Sequence, residues 1–157
     1  MSGPPPSSPF PRAAQMLVFS LVARASRFLL RCSPVAIHSF RDLRAWQLGM
    51  EYVLAIYAVT ESFPREERYG LTSQLRRAAV AIPSNISEGH VQGSRTYLRY
   101  VIIAIGSVAE CETQIEIARR LNYASGNDLT TVDAIAGDLR RVLFGLRRSL
   151  RMKRADP

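Results

Sequence analysis

A chain of 157 residues and 17.5 kDa holds one domain's worth of sequence. With 47% hydrophobic and 22% charged residues it can build a packed core, and wholesale disorder is excluded. Two cysteines, Cys32 and Cys111, exclude a disulfide scaffold and a cysteine-based zinc module, and two histidines, His38 and His90, leave little for a histidine-ligated metal or a histidine base.

The net charge of +8 is unevenly placed. Residues 1–39 carry four Arg and no acid, residues 40–139 carry ten Arg against twelve acids, and residues 140–157 carry six Arg and Lys153 against one acid. The basic character therefore belongs to the two ends. Of the 21 basic residues, 20 are Arg. A GC-rich genome produces the same skew, which weakens any argument from guanidinium chemistry alone.

Residues 1–38 read as an extension with little structure. Five of the nine prolines fall in the first eleven residues, where they forbid a helix or a central strand. The apolar run that follows, Met16–Ala23, is too short to span a bilayer. Three readings stay open: an export signal with an Ala23-Arg24-Ala25 cleavage site, an Arg-rich transit peptide, and a start codon assigned too early, with translation from near Val35. Under all three the folded domain spans residues 39–154.

Four amphipathic segments follow. The first covers residues 41–62. Ser39 and Asp42 have capping-box spacing, Leu43, Trp46, Met50, Val53, Leu54 and Tyr57 recur at helical intervals, and Pro64 ends the run. The second covers 72–88, with Thr72 as N-cap, Leu71 as its staple, and a stripe of Leu75, Ala78, Ala79, Ile82 and Ile86. Pro83 interrupts it, at a cost of ~3 kcal/mol if uncompensated, and Gly89 and Gly93 mark the exit. The third covers 94–122 from an N-cap at Ser94. Leu98, Val101, Ile102, Ile105, Val108, Ala109, Ile115 and Ile117 make it too apolar for one buried face, and Ala104, Gly106, Ser107 and Ala109 permit close approach of another helix. The fourth covers 128–152, capped by Asn127 or Asp128, with the cleanest stripe: Leu129, Val132, Ile135, Leu139, Val142, Leu143, Leu146 and Leu150. The connections are short, so successive helices pack antiparallel. The expected fold is all-α, an antiparallel up-down four-helix bundle.

Opposite the buried stripe of the second segment stand Arg77, Ala81, Ser84 and Glu88, with Gln74 and Asn85 beside them. A merely solvated face carries charge throughout. Small polar residues between two charges point to a second packing surface, so Arg77, Ala81, Ser84, Asn85 and Glu88 are the candidate oligomer interface.

Three stretches, FRDLRAWQLGMEY (40–52), YGLTSQLRRAAVAIPSNISEG (69–89) and IAIGSVAECETQIEIARRLNY (103–123), strongly resemble the bacterial four-helix-bundle family also called the 23S rRNA-intervening-sequence or S23 family. That family includes the accessory variability protein of diversity-generating retroelements. The resemblance covers about residues 40–150. Gln74, Arg76, Arg77, Ala78, Ile82, Pro83, Asn85, Ile86, Glu88 and Gly89 stand where the family pattern expects them, while Ala81 replaces a usual Ser, Ser87 a usual Ala and Cys111 a usual Leu. The resemblance implies a homopentamer and no catalytic residues. It also offers two partners, nucleic acid and a reverse transcriptase, which the retroelement accessory protein binds through basic surface.

On the fourth segment, Arg140, Arg147, Arg151 and Arg154 fall on one side of the helix, with Arg141 and Arg148 further round. Such a cluster is an electrostatic footprint for a phosphate backbone. It also complements the helix dipole, or is merely solvated. Little aromatic interleaving accompanies it, so base stacking is not indicated. Arg76 and Arg77 have two readings: contacts for a partner's phosphates, or the favoured structural role, paired with acids such as Glu88, Glu110, Glu112 or Glu116 within or between subunits. Glu112 and Gln114 lie in an apolar stretch and are expected to make a buried polar contact with Arg76 or Asn85. Cys111 has no histidine base in reach and reads as a core thiol. The expectation is a non-enzymatic, cytoplasmic, homo-oligomeric scaffold without metal, cofactor, small-molecule substrate or membrane contact. A structural or protein-interaction module with no nucleic-acid role is the alternative.

Overall fold

The computed structural model describes residues 38–124 and 126–155, with the side chains of Ser94, Arg95, Asn127, Arg154 and Ala155 outside the description. The expectations for residues 1–37 fall outside the described residues. Four helices carry the domain: α1 (Arg44–Val59), α2 (Leu71–Gln92), α3 (Ser94–Arg120) and α4 (Asn127–Ala155). Each packs against the next and α4 closes onto α1, which gives the expected up-down bundle.

The Ser39–Asp42 capping box forms, with Asp42 Oδ2 accepting from the Ser39 amide at 2.9 Å and Ser39 Oγ from the Arg41 amide at 3.3 Å. It closes a short 3-10 turn, Phe40–Asp42, and α1 begins after it without a side-chain cap. The buried stripe of α1 is not the expected one. Ala45, Leu48, Tyr52, Ile56 and Val59 face the core together with Gly49, while Met50, Leu54 and Tyr57 are exposed and Trp46 and Val53 half-buried; of the expected stripe, Leu43 alone is buried. Both rows satisfy the three-four rule. Packing against α2 and α4 chooses between them, and the Gly49 side is the one that meets Pro83, where an added Cβ would stand in ordinary contact at 3.4 Å.

In α2 the expected stripe of Leu75, Ala78, Ala79, Ile82 and Ile86 is buried. Thr72 does not cap it. The helix starts one residue earlier, at Leu71, whose amide is taken by Glu67 Oε2 at 2.8 Å from a 3-10 turn, Arg65–Arg68. A carboxylate at a helix start satisfies an orphan donor and the helix dipole together, which frees Thr72 to be buried. The helix runs through Pro83. Side chains supply donors just past the missing backbone bond: Ser84 Oγ to the Val80 carbonyl at 2.9 Å and Asn85 Nδ2 to the Ala81 carbonyl at 2.7 Å.

Gly89 is not the exit of α2. It lies buried inside the helix, where an added Cβ would come within 2.7 Å of both Tyr100 Cβ and Tyr97 Cδ2. The break comes at Gly93 (φ 86°), the single residue between α2 and α3 and the N-cap of α3 in place of Ser94. The C-terminus of α3 closes as a Schellman motif around Asn122 (φ 57°), with the Tyr123 amide on the Ala118 carbonyl and the Asn122 amide on the Arg119 carbonyl. The stripe of α4 is as expected, with Leu129, Val132, Leu139, Leu143 and Leu150 buried and Ile135, Val142 and Leu146 packed against them. The helix starts at Asn127 itself, so neither Asn127 nor Asp128 precedes it as a cap. Among the described residues, no helix is long and apolar enough to cross a membrane.

Candidate functional site

The six arginines of α4 divide into two groups. Arg140 reaches across to Glu112 on α3 at 3.2 Å, and Arg141 pairs with Asp138 one turn back. Their charge is locally met. Arg147 lies over the Phe144 ring at 4.5 Å, and Arg148, Arg151 and Lys153 are exposed; none of these four makes an ion pair among the described residues. The Arg154 side chain lies outside the described residues. The unpaired positive charge of α4 therefore sits in its last three turns. In this antiparallel bundle those turns share an end with the starts of α1 and α3.

The candidate interface residues of α2 fall on its outer ridge. Arg77 and Glu88 are exposed, and Ala81, Ser84 and Asn85 are half-buried. Ser84 and Asn85 also have the local task beside Pro83, which accounts for small polar residues there without a partner. The apolar surface that sequence reasoning missed is on α1. Trp46, Met50 and Val53 face Val80, Pro83 and Ser84 across an open groove of about 320 Å³ between α1 and α2. A second exposed apolar face lies on α3, where Ile102, Ile103 and Ile117 stand out of the core around Gly106 and Ala109. A Cβ on Gly106 meets nothing within 4 Å, so no helix of the described residues uses the close approach that Gly106 permits.

The expected polar contacts rearrange. Arg76 is structural, but its partners are not acids. Its Nε donates to Thr60 Oγ1 at 2.8 Å, Nη2 to the Tyr57 carbonyl at 3.4 Å, and the guanidinium lies 4.5 Å over the Tyr57 ring. The carbonyls at a helix C-terminus attract a cation as an acid does. Glu112 pairs with Arg140, and Gln114 donates to Glu110 at 3.1 Å, so neither meets Arg76 or Asn85. Glu116 is held below the ordinary carboxylate range by hydrogen bonds from Arg120 and Arg119.

Cys111 is fully buried, with Sγ 3.9 Å from the Leu75 carbonyl. Burial, and then the nearby Glu110 and Glu112, push its thiol up to about 12. A nucleophilic thiol needs the opposite shift. The native chain is expected to leave Cys111 unlabelled by iodoacetamide at pH 8 and to label it on unfolding, with mass spectrometry locating the adduct. Prompt native labelling would contradict the burial. Among the described residues, no three acidic, histidine or cysteine side chains converge as a metal site.

The family model of the 23S rRNA-intervening sequence protein matches residues 41–145. The chain belongs to this family. A solved structure of a protein of unknown function from the S23 ribosomal protein family of Bacteroides thetaiotaomicron is similar in fold, with a TM-score of 0.60 at 17% identity, over 66% of this chain and 97% of that one. No functionally curated protein matches. The 23S rRNA-intervening sequence match spans all of α1, α2 and α3 and ends within α4. Arg140 and Arg141 lie inside it, and the unpaired Arg147, Arg148 and Arg151 lie beyond it.

Proposed function

We propose that this chain assembles with copies of itself, as a ring of five bundles, into a non-enzymatic scaffold. The scaffold binds nucleic acid, or an enzyme that works on nucleic acid such as a reverse transcriptase, through the arginine-rich end of α4. The cluster of Arg147, Arg148, Arg151 and Lys153 carries the binding reading, because among the described residues no acid pairs with it while Arg140 and Arg141 upstream are neutralised. The assembly is supported by two apolar surfaces of different composition, the α1–α2 groove and the outer face of α3. A head-to-tail ring needs two unlike faces, whereas a two-fold dimer needs one.

Labelled RNA and DNA duplexes titrated with the full chain at several salt concentrations test the binding. Affinity is expected to fall steeply with salt. An Arg147→Gln, Arg148→Gln, Arg151→Gln variant is expected to flatten the slope of log affinity against log salt by about 2 to 3, at roughly 0.9 per lost phosphate contact. No binding near physiological salt would reduce the row to solvated surface. A protein-interaction module without a nucleic-acid role would then stand, a reading that the Glu112–Arg140 and Asp138–Arg141 pairs favour for the upstream half of the cluster.

A further inference from the structure

We infer that the groove where α1 ends and α2 begins is a second, separate site, shaped for a nucleoside phosphate unit held by guanidinium groups beside a stacked base. Its walls bring together Tyr57 from α1, Arg68 and Tyr69 from the connection, and Ser73, Arg76 and Arg77 from α2. The open volume is about 640 Å³, within the range of small-molecule sites. No carboxylate lines it, and none of Arg68, Arg76 and Arg77 makes an ion pair among the described residues. Glu67, adjacent in sequence, is spent elsewhere: Oε2 accepts from the Leu71 amide and Oε1 from the Tyr123 hydroxyl.

The positive charge is also organised. Arg76 is fixed by Thr60, the Tyr57 carbonyl and the Tyr57 ring, with two of its five N–H donors used. Arg68 lies 5.7 Å over the Tyr69 ring, and that ring is 87% exposed. An exposed aromatic beside three guanidinium groups that no carboxylate pairs with among the described residues serves nothing in the core. A bare anion would have no use for the ring, and an apolar helix would bury the charges uncompensated. A nucleotide uses both, with phosphate on arginine and base on tyrosine. The chain order hides this, because Tyr57 lies apart from the other members in sequence and the turn at Arg65–Arg68 folds it back beside them. The inference stands independently of the α4 row.

The test uses the full chain in the Arg147→Gln, Arg148→Gln, Arg151→Gln background, which removes the α4 contribution. The probes are a ten-nucleotide uridine strand, an abasic strand of equal charge, uridine monophosphate and inorganic phosphate. Tyr69→Ala is expected to weaken the uridine strand and the mononucleotide by about 5- to 100-fold and to leave the abasic strand and phosphate unchanged. Arg68→Gln with Arg77→Gln is expected to flatten the salt slope for the strand by about 1.4. A strand bound far more tightly than the mononucleotide identifies a polynucleotide as the source, and equal affinity identifies a free nucleotide. Tyr69, Arg68 and Arg77 are exposed, so an unchanged melting curve confirms that the variants fold. The inference is overturned if no probe binds, or if Tyr69→Ala binds uridine as the parent does. It is equally overturned if the variants change the assembly mass and not nucleotide binding, because the groove then belongs to a neighbouring copy.

Discussion

An Ile82→Ala chain is expected to lose about 2–5 kcal/mol of unfolding free energy, a large share of the roughly 5–15 kcal/mol that holds a domain of this kind together. Ile82 is fully buried, and it sits one residue before Pro83. The size of the loss depends on how far the surroundings can collapse into the space left behind. Here they have little freedom. Pro83 already rests against Gly49 of α1, and Cys111 of α3 reaches the Leu75 carbonyl two turns away along α2. These contacts hold the helix spacing and keep the cavity open. Urea unfolding followed by circular dichroism reads the change, and a loss below about 1 kcal/mol would place Ile82 outside the core.

Gly89→Val is expected to cost about 3 kcal/mol by overpacking. The first added carbon would already overlap Tyr100 Cβ, which is fixed to the α3 backbone and has no free torsion to swing away. The two helices would have to part where a single residue joins them. Gly106→Ala makes the contrasting case. Its Cβ enters open space, so the isolated fold is expected to gain about 1 kcal/mol from helix propensity alone. Opposite signs for the two glycines would show that α2–α3 contact, and not glycine in a helix as such, sets the cost. Destabilisation by both, to similar extents, would contradict this account.

The sequence made α4 and α2 readable because each carries one apolar stripe, and a single stripe has a single solution. It misled at α1 because two rows satisfy the same spacing. The row that loses the core, Met50, Leu54 and Tyr57, is visible as surplus only once α2 and α4 are packed against α1. The start of α2 was missed because its cap is Glu67, a residue of the preceding turn, where local rules look to Thr72. Gly89 and Gly93 look alike in sequence. One admits a neighbouring helix and the other breaks the backbone, a distinction that needs α3 in place. The α4 cluster was legible as a charge pattern, but its division was not, because the acid that neutralises Arg140 is Glu112, 28 residues earlier on another helix. The tyrosine–arginine groove left no sequence signal beyond Arg76 and Arg77.

The proposed assembly makes one bundle an incomplete unit. In that proposal neighbouring copies cover the exposed apolar residues of α1 and α3, among them Leu54 and Ile102. Sedimentation equilibrium of the full chain at micromolar concentration measures this directly. The account predicts a single species five times the 17.5 kDa of the chain, broken down by a charge at Leu54 or Ile102 without loss of helix content. A parent chain that sediments at 17.5 kDa across that range would contradict it.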